Sequence, residues 1–180
     1  MKIIEHYVVP SGGISSLTLT SIGSIPGDYT DLLLVASART NRTGTTYEDS
    51  LAVKLNNTSS TNMQSLFGYD ANVGASDYNV GNGALRFIAS TATSTSNTFG
   101  LSRMYISNYK SSVNKVAIIE GHAENNGGGA WQFVACANFA VNSAITSITL
   151  TPLVGTTILE HSSFSLYGIL AGSDGTTTVS

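Results

Sequence analysis

The sequence predicts an all-β domain: an antiparallel β-sandwich, jelly-roll-like, with long loops. Three observations predict it. Helix formers are scarce, with four Lys, five Glu, four Arg and two Gln in 180 residues. No 12-residue window places apolar side chains at i, i+3, i+4 and i+7 between helix caps. Short runs rich in β-branched and aromatic residues recur instead, bounded by Gly, Asn, Asp, Ser and Pro.

Ten strands are expected, near 2–9, 14–20, 30–38, 50–56, 84–90, 98–107, 114–123, 130–140, 144–151 and 162–171. The first, Ile3-Ile4-Glu5-His6-Tyr7-Val8-Val9, has two readings: the opening strand of the sandwich, or an arm that adds to another chain's sheet. Leu32-Leu33-Leu34-Val35 is apolar on both faces, which places it centrally. In 99–106 the apolar phase slips from Phe99 and Leu101 to Met104 and Ile106, and a β-bulge near Ser102-Arg103 accounts for that. Trp131, Phe133, Ala135, Ala137 and Phe139 alternate with Gln132, Val134, Cys136 and Asn138, giving one aromatic face and one mixed face. Ile148, Leu150 and Pro152 alternate with Thr149 and Thr151. Phe164, Leu166, Gly168 and Leu170 alternate with Ser165, Tyr167 and Ile169. The connections are 40–49, 57–83, 108–112, 124–129 and 153–161. The longest, 57–83, contains Phe67, Tyr69 and Tyr78, so a loop held against something is expected there. The organisation is a strand or docking arm over 1–13, a sandwich domain over 14–171 and a polar tail over 172–180. The tail either stays flexible or orders against a neighbouring subunit.

Composition narrows the function. Charged residues make up 11% of the chain, against about 25% in an average soluble domain. The difference has gone into Ser, Thr, Asn and Gly, which together account for 78 of 180 residues. A net charge of −3 with eight Lys and Arg argues against nucleic-acid binding. The longest apolar run, Leu32 to Ala36, is far short of the roughly 20 residues of a membrane span, so no membrane insertion is expected. Met1 to His6 lacks the apolar stretch of a signal peptide. The single cysteine, Cys136, excludes an intrachain disulfide and a thiolate zinc site, and its apolar strand suggests an inert buried thiol.

Catalytic patterns are weak. There is no Gly-x-Ser-x-Gly elbow, and Gly127-Gly128-Gly129 lacks the Lys and helix of a phosphate loop. Glu120, His122 and Glu124 fall at i, i+2 and i+4, which on a strand puts two carboxylates and an imidazole on one face. The plain reading is a polar outer face, and no metal, cofactor or catalytic residue is assigned. Tyr69, Asp70, Asp77 and Tyr78 offer the aromatic and hydrogen-bonding vocabulary of a ligand or glycan contact. Ile3, Ile4, Tyr7 and Val8 are the candidate docking strand.

One resemblance stands out. Ser24 to Thr40, with Pro26, Tyr29-Thr30-Asp31-Leu32 and Ser37-Ala38-Arg39, resembles small β-sandwich virion proteins of tailed bacteriophages. Leu51 to Asn56, Tyr105 to Tyr109, Ala144 to Pro152 and Ser163 to Ile169 are similar to the same group and follow in the same order. The matches span about residues 17–170. The resemblance implies a non-enzymatic structural protein located in the virion: a capsid decoration or head-fibre protein, or a tail-fibre tip. It implies a homotrimer that meets other virion proteins such as the major capsid protein. A receptor- or glycan-binding module using 57–83 against a host surface glycan is the alternative.

Overall fold

In the computed structural model, the described residues are 1–24, 29–44, 48–69, 72–80, 85–124 and 130–170. Twelve strands are present among them: β1 (Lys2–Val8), β2 (Leu17–Leu19), β3 (Tyr29–Ala38), β4 (Glu48–Leu55), β5 (Thr58–Tyr69), β6 (Asn72–Val80), β7 (Leu85–Ser90), β8 (Gly100–Ile106), β9 (Lys115–Glu124), β10 (Ala130–Phe139), β11 (Ile148–Pro152) and β12 (Ser163–Leu170). One 3-10 turn, Ser21–Ser24, follows β2. The expected all-β class and antiparallel sandwich are what the chain adopts. The C-terminal segment 172–180 and Asp70 lie outside the described residues.

Alternation decides the faces. In β8 and β9 every second side chain is buried, and the others face outward. A large sheet runs in the order β1-β12-β3-β8-β9-β10-β5-β6, with antiparallel neighbours throughout. A smaller sheet runs β2-β11-β4-β7. The core between them holds Leu32, Leu34, Leu51, Val53, Phe87, Met104, Ile119, Phe139, Phe164 and Leu166.

Strand β5 joins the two sheets. Its first residues pair with β4 through a two-residue turn in which Asn56 and Asn57 have φ of 47° and 62°. That is the hairpin geometry Asn tolerates best after Gly. From Ser60 onward β5 pairs with β10, and the register slips where Asn62 and Ser60 oppose Asn138 and Phe139. The extra residue, Thr61, bends the strand from one sheet into the other.

Two expectations are corrected here. The segment 57–83 is not a long loop: most of it is the hairpin β5–β6. Thr58 to Gln64 is nearly all polar, which disguised the first half of β5 as loop. The bulge expected near Ser102-Arg103 is absent: β8 keeps unbroken register with both β3 and β9. The phase slip arises because Leu101 is exposed and Ser102 is buried, so polarity and burial are exchanged at that pair.

The stretches that carry the resemblance interlock. Asp31 accepts hydrogen bonds from the Tyr105 hydroxyl at 2.5 Å and the Asn108 amide at 2.7 Å. The Tyr109 amide donates to Thr30 O at 3.1 Å. Asn56 Oδ1 accepts from the Thr146 and Ser147 amides at 2.8 and 3.2 Å. Their polar residues therefore latch strand ends together, a structural use of Asn and Asp.

Candidate interaction face

Among the described residues, the outer face of the large sheet is the most distinctive surface. Strand register lines its side chains up in rows. One row runs Tyr167, Leu33, Tyr105, Ile118, Cys136, Gln64 across β12, β3, β8, β9, β10 and β5. The next runs Ser165, Val35, Arg103, Glu120, Val134, Leu66. Leu101, His122 and Gln132 begin a third.

Leu66, Leu101, Tyr105, Val116, Ile118 and Val134 all lie on this face, with exposures from 38% at Tyr105 to 64% at Leu66. Leu33 and Val35 are half-buried beside them. Scattered apolar side chains are ordinary on a protein surface, whereas a contiguous patch of this kind is the composition interaction surfaces carry. Near its centre Arg103 and Glu120 form an ion pair, with Nη2 2.6 Å and Nε 2.8 Å from the same oxygen, Oε2. Both side chains are largely exposed, so water screens the pair and its contribution to folding is small. The Tyr105 hydroxyl, donating to Asp31, is pushed up to about 12 by that hydrogen bond, helped by burial and the nearby negative charge.

The structure brings Glu120, His122 and Glu124 onto one face, as alternation requires, but gives them separate partners. Glu120 pairs with Arg103, and Glu124 lies in the field of Arg39. No group of three metal-ligating side chains occurs among the described residues. Gly121, between Glu120 and His122, has a packing reason: a Cβ there comes within 2.6 Å of Ser102 Oγ and 2.9 Å of Ile88 Cγ1. Cys136 is exposed on the outer face, which corrects its expected burial; the odd-numbered neighbours Ala135 and Ala137 are the buried ones.

Strand β1, carrying Ile3, Ile4, Tyr7 and Val8, forms the edge of the large sheet against β12. Ile3 and Val8 are exposed, whereas Ile4 and Tyr7 pack on the core. Of the residues chosen in 57–83, Tyr69 lies opposite Trp131, Tyr78 opposite Gln64 and Asp77 opposite Ser65. Beyond register, their side chains lie outside the described residues, as does the whole of Asp70.

A concavity of about 160 Å³ opens between the sheets, where Glu48 and Arg86 of the small sheet face Ser65, Phe67 and Trp131 of the large one. The Phe67 and Trp131 rings stack with centroids 5.2 Å apart and planes 14° apart. Burial holds the Glu48 carboxyl above its ordinary range, against the opposing pull of its own backbone amide and of Arg42. Sequence reasoning missed this cavity because Phe67 and Arg86 flanked or fell inside the supposed loop.

No protein-family model matches the chain, and no curated protein matches it.

Proposed function

We propose that the chain is a non-enzymatic structural protein of a bacteriophage virion, a capsid decoration protein on the particle surface. Its partners in this reading are other copies of itself, as a homotrimer, and the major capsid protein. The observation that carries the reading is the exposed apolar outer face of the large sheet, a surface suited to repeated contacts within an assembly. The low charge density fits: little charge needs a partner when such a face is covered. The polar latches at Asp31 and Asn56 support it too, because they give polar residues of the resembling stretches structural work.

Immuno-electron microscopy tests it, with antibodies raised against the purified chain and applied to phage particles whose genome encodes it. Label distributed over the heads is the expected result. Label confined to tail tips replaces decoration with the alternative, a receptor- or glycan-binding tip, for which the Phe67–Trp131 pair beside the inter-sheet cavity is the structural argument. Unlabelled virions overturn both.

A further inference from the structure

We propose that copies of this chain associate through the outer face of the large sheet about a rotation axis parallel to β8 and β9. The β3–β8 half of one copy's face then lies against the β9–β10 half of the next. The proposal takes from the reading above only that copies associate, with a pair in place of the trimer, and it is independent of where on a particle the protein sits.

Area is the first argument. Six strands, β12 to β5, spaced about 4.8 Å apart and about nine residues long at roughly 3.3 Å each, give a footprint of about 850 Å². A stable interface takes about 800 Å² from each partner. The face also has the anatomy of such an interface. Leu33, Val35, Tyr105, Ile118 and Val134 form its middle, and Ser37, Gln64 and Gln132 lie toward its margin.

Charge selects the axis. Arg103 and Glu120 stand side by side on β8 and β9, near the centre of the face. An axis lying across the strands stacks β8 on β8 and sets Arg103 near Arg103 and Glu120 near Glu120. Like charges brought together at a desolvated centre oppose association. An axis parallel to the strands stacks β8 on the next copy's β9, so each Arg103 meets a second carboxylate. The same operation sets Leu33 against Cys136 of the next copy and Val35 against Val134. A two-fold axis satisfies all of these pairings at once and uses the whole footprint, each half of one face meeting the unlike half of its partner.

The experiment combines mass, charge reversal and cross-linking on the full chain. Light scattering after size exclusion is expected to give a mass of two chains, and a mass of three overturns the two-fold axis. Ile118→Arg and Arg103→Glu, both outward-facing, are expected to keep the β circular-dichroism spectrum and to weaken association about tenfold or more. Arg103→Glu combined with Glu120→Arg is expected to restore it. Leu33→Cys, oxidised, is expected to give interchain disulfides with Cys136, because within one chain the two positions lie three strands, about 14 Å, apart. Wild type, with Cys136 alone, is expected to give none. A monomer at high concentration overturns the proposal, as does an oligomer indifferent to Ile118→Arg. Wild-type Cys136–Cys136 cross-links without Leu33→Cys cross-links overturn the axis. A chain that assembles this way but labels no virion keeps this inference and loses the particle assignment; a monomer that labels virions does the reverse.

Discussion

The Ser102 hydroxyl grips the backbone of Ile88, accepting from its amide at 2.8 Å and donating to its carbonyl at 3.1 Å. Strand β7 pairs with β4 on one side, and its other edge points into the molecule, where an unpaired backbone would be costly. Serine side chains satisfy that edge: Ser60 Oγ accepts from the Leu85 amide at 3.2 Å, and Ser102 serves Ile88. Ser102→Ala is expected to cost about 1–3 kcal/mol by leaving both groups of Ile88 unpaired. Gly121→Ala is expected to cost a similar amount, about 1–3 kcal/mol, by overpacking the same point. Because both act on one contact, the double variant should be less destabilised than the sum. Urea denaturation of the four proteins measures this, and strict additivity would refute the shared contact.

Arg39 organises the segment that follows β7. Its guanidinium donates to the carbonyls of Ala92, Ser94, Thr95 and Thr98 at 2.7–3.2 Å. Arg39→Met removes all four bonds, with an expected loss of about 2–3 kcal/mol. The first new site of limited proteolysis should fall between 92 and 98. Arg39→Lys should recover little, since an ammonium cannot reproduce the planar fork.

Glu48 makes stability depend on pH in a definite direction. Burial raises its carboxyl in the folded state, so the native protein binds that proton more readily than the unfolded chain. Its contribution is therefore fully present below the unfolded value and is lost as pH rises through the folded one. Glu48→Gln should be more stable than wild type at neutral pH, and the gain should vanish below about pH 4. Thermal melts at both pH values check the sign.

Tyr105 titrates at the alkaline end. With its phenol at about 12, above the ordinary value near 10, the hydrogen bond to Asp31 contributes fully below about pH 10. It is lost as pH rises towards 12. The tyrosinate absorbance assigned by difference from Tyr105→Phe should appear near 12 in wild type. In Asp31→Asn it should appear nearer 10.

The N-terminal strand is integral to the sandwich. Val9 is buried at 1% exposure, and its backbone exchanges hydrogen bonds with Ser162 O at 2.8 Å and His161 N at 3.0 Å. Glu5 Oε2 accepts from the Ser21 amide at 3.0 Å. Deleting residues 1–9 should lower the melting temperature and uncover the edge of β12, with loss of fold rather than of docking alone. An unchanged melt would restore the picture of a detachable arm.

The alternation in 115–124 and 130–139 was legible because it is local: a period of two decides which side chains share a face before any partner strand is known. Strand β5 was harder. Its Asn56-Asn57 turn is a hairpin signal, but Thr58 to Gln64 is nearly all polar, so nothing in the pattern separated strand from loop. The interaction face was only half legible. Leu33, Val35, Ile118 and Val134 are visibly apolar and out of phase with the core, yet their meeting in two rows depends on the order β3-β8-β9-β10.

By itself, then, the sequence determined the all-β class, the inward and outward residues of the regular strands, and the scarcity of charge. Those follow from backbone periodicity and composition. Tertiary structure decided which strands are neighbours, why Gly121 carries no side chain, where Cys136 points, and that the second apolar face is left open. Alternation states which side chains lie together on a face. What covers that face is set by contacts between segments far apart in the chain, which no local pattern encodes.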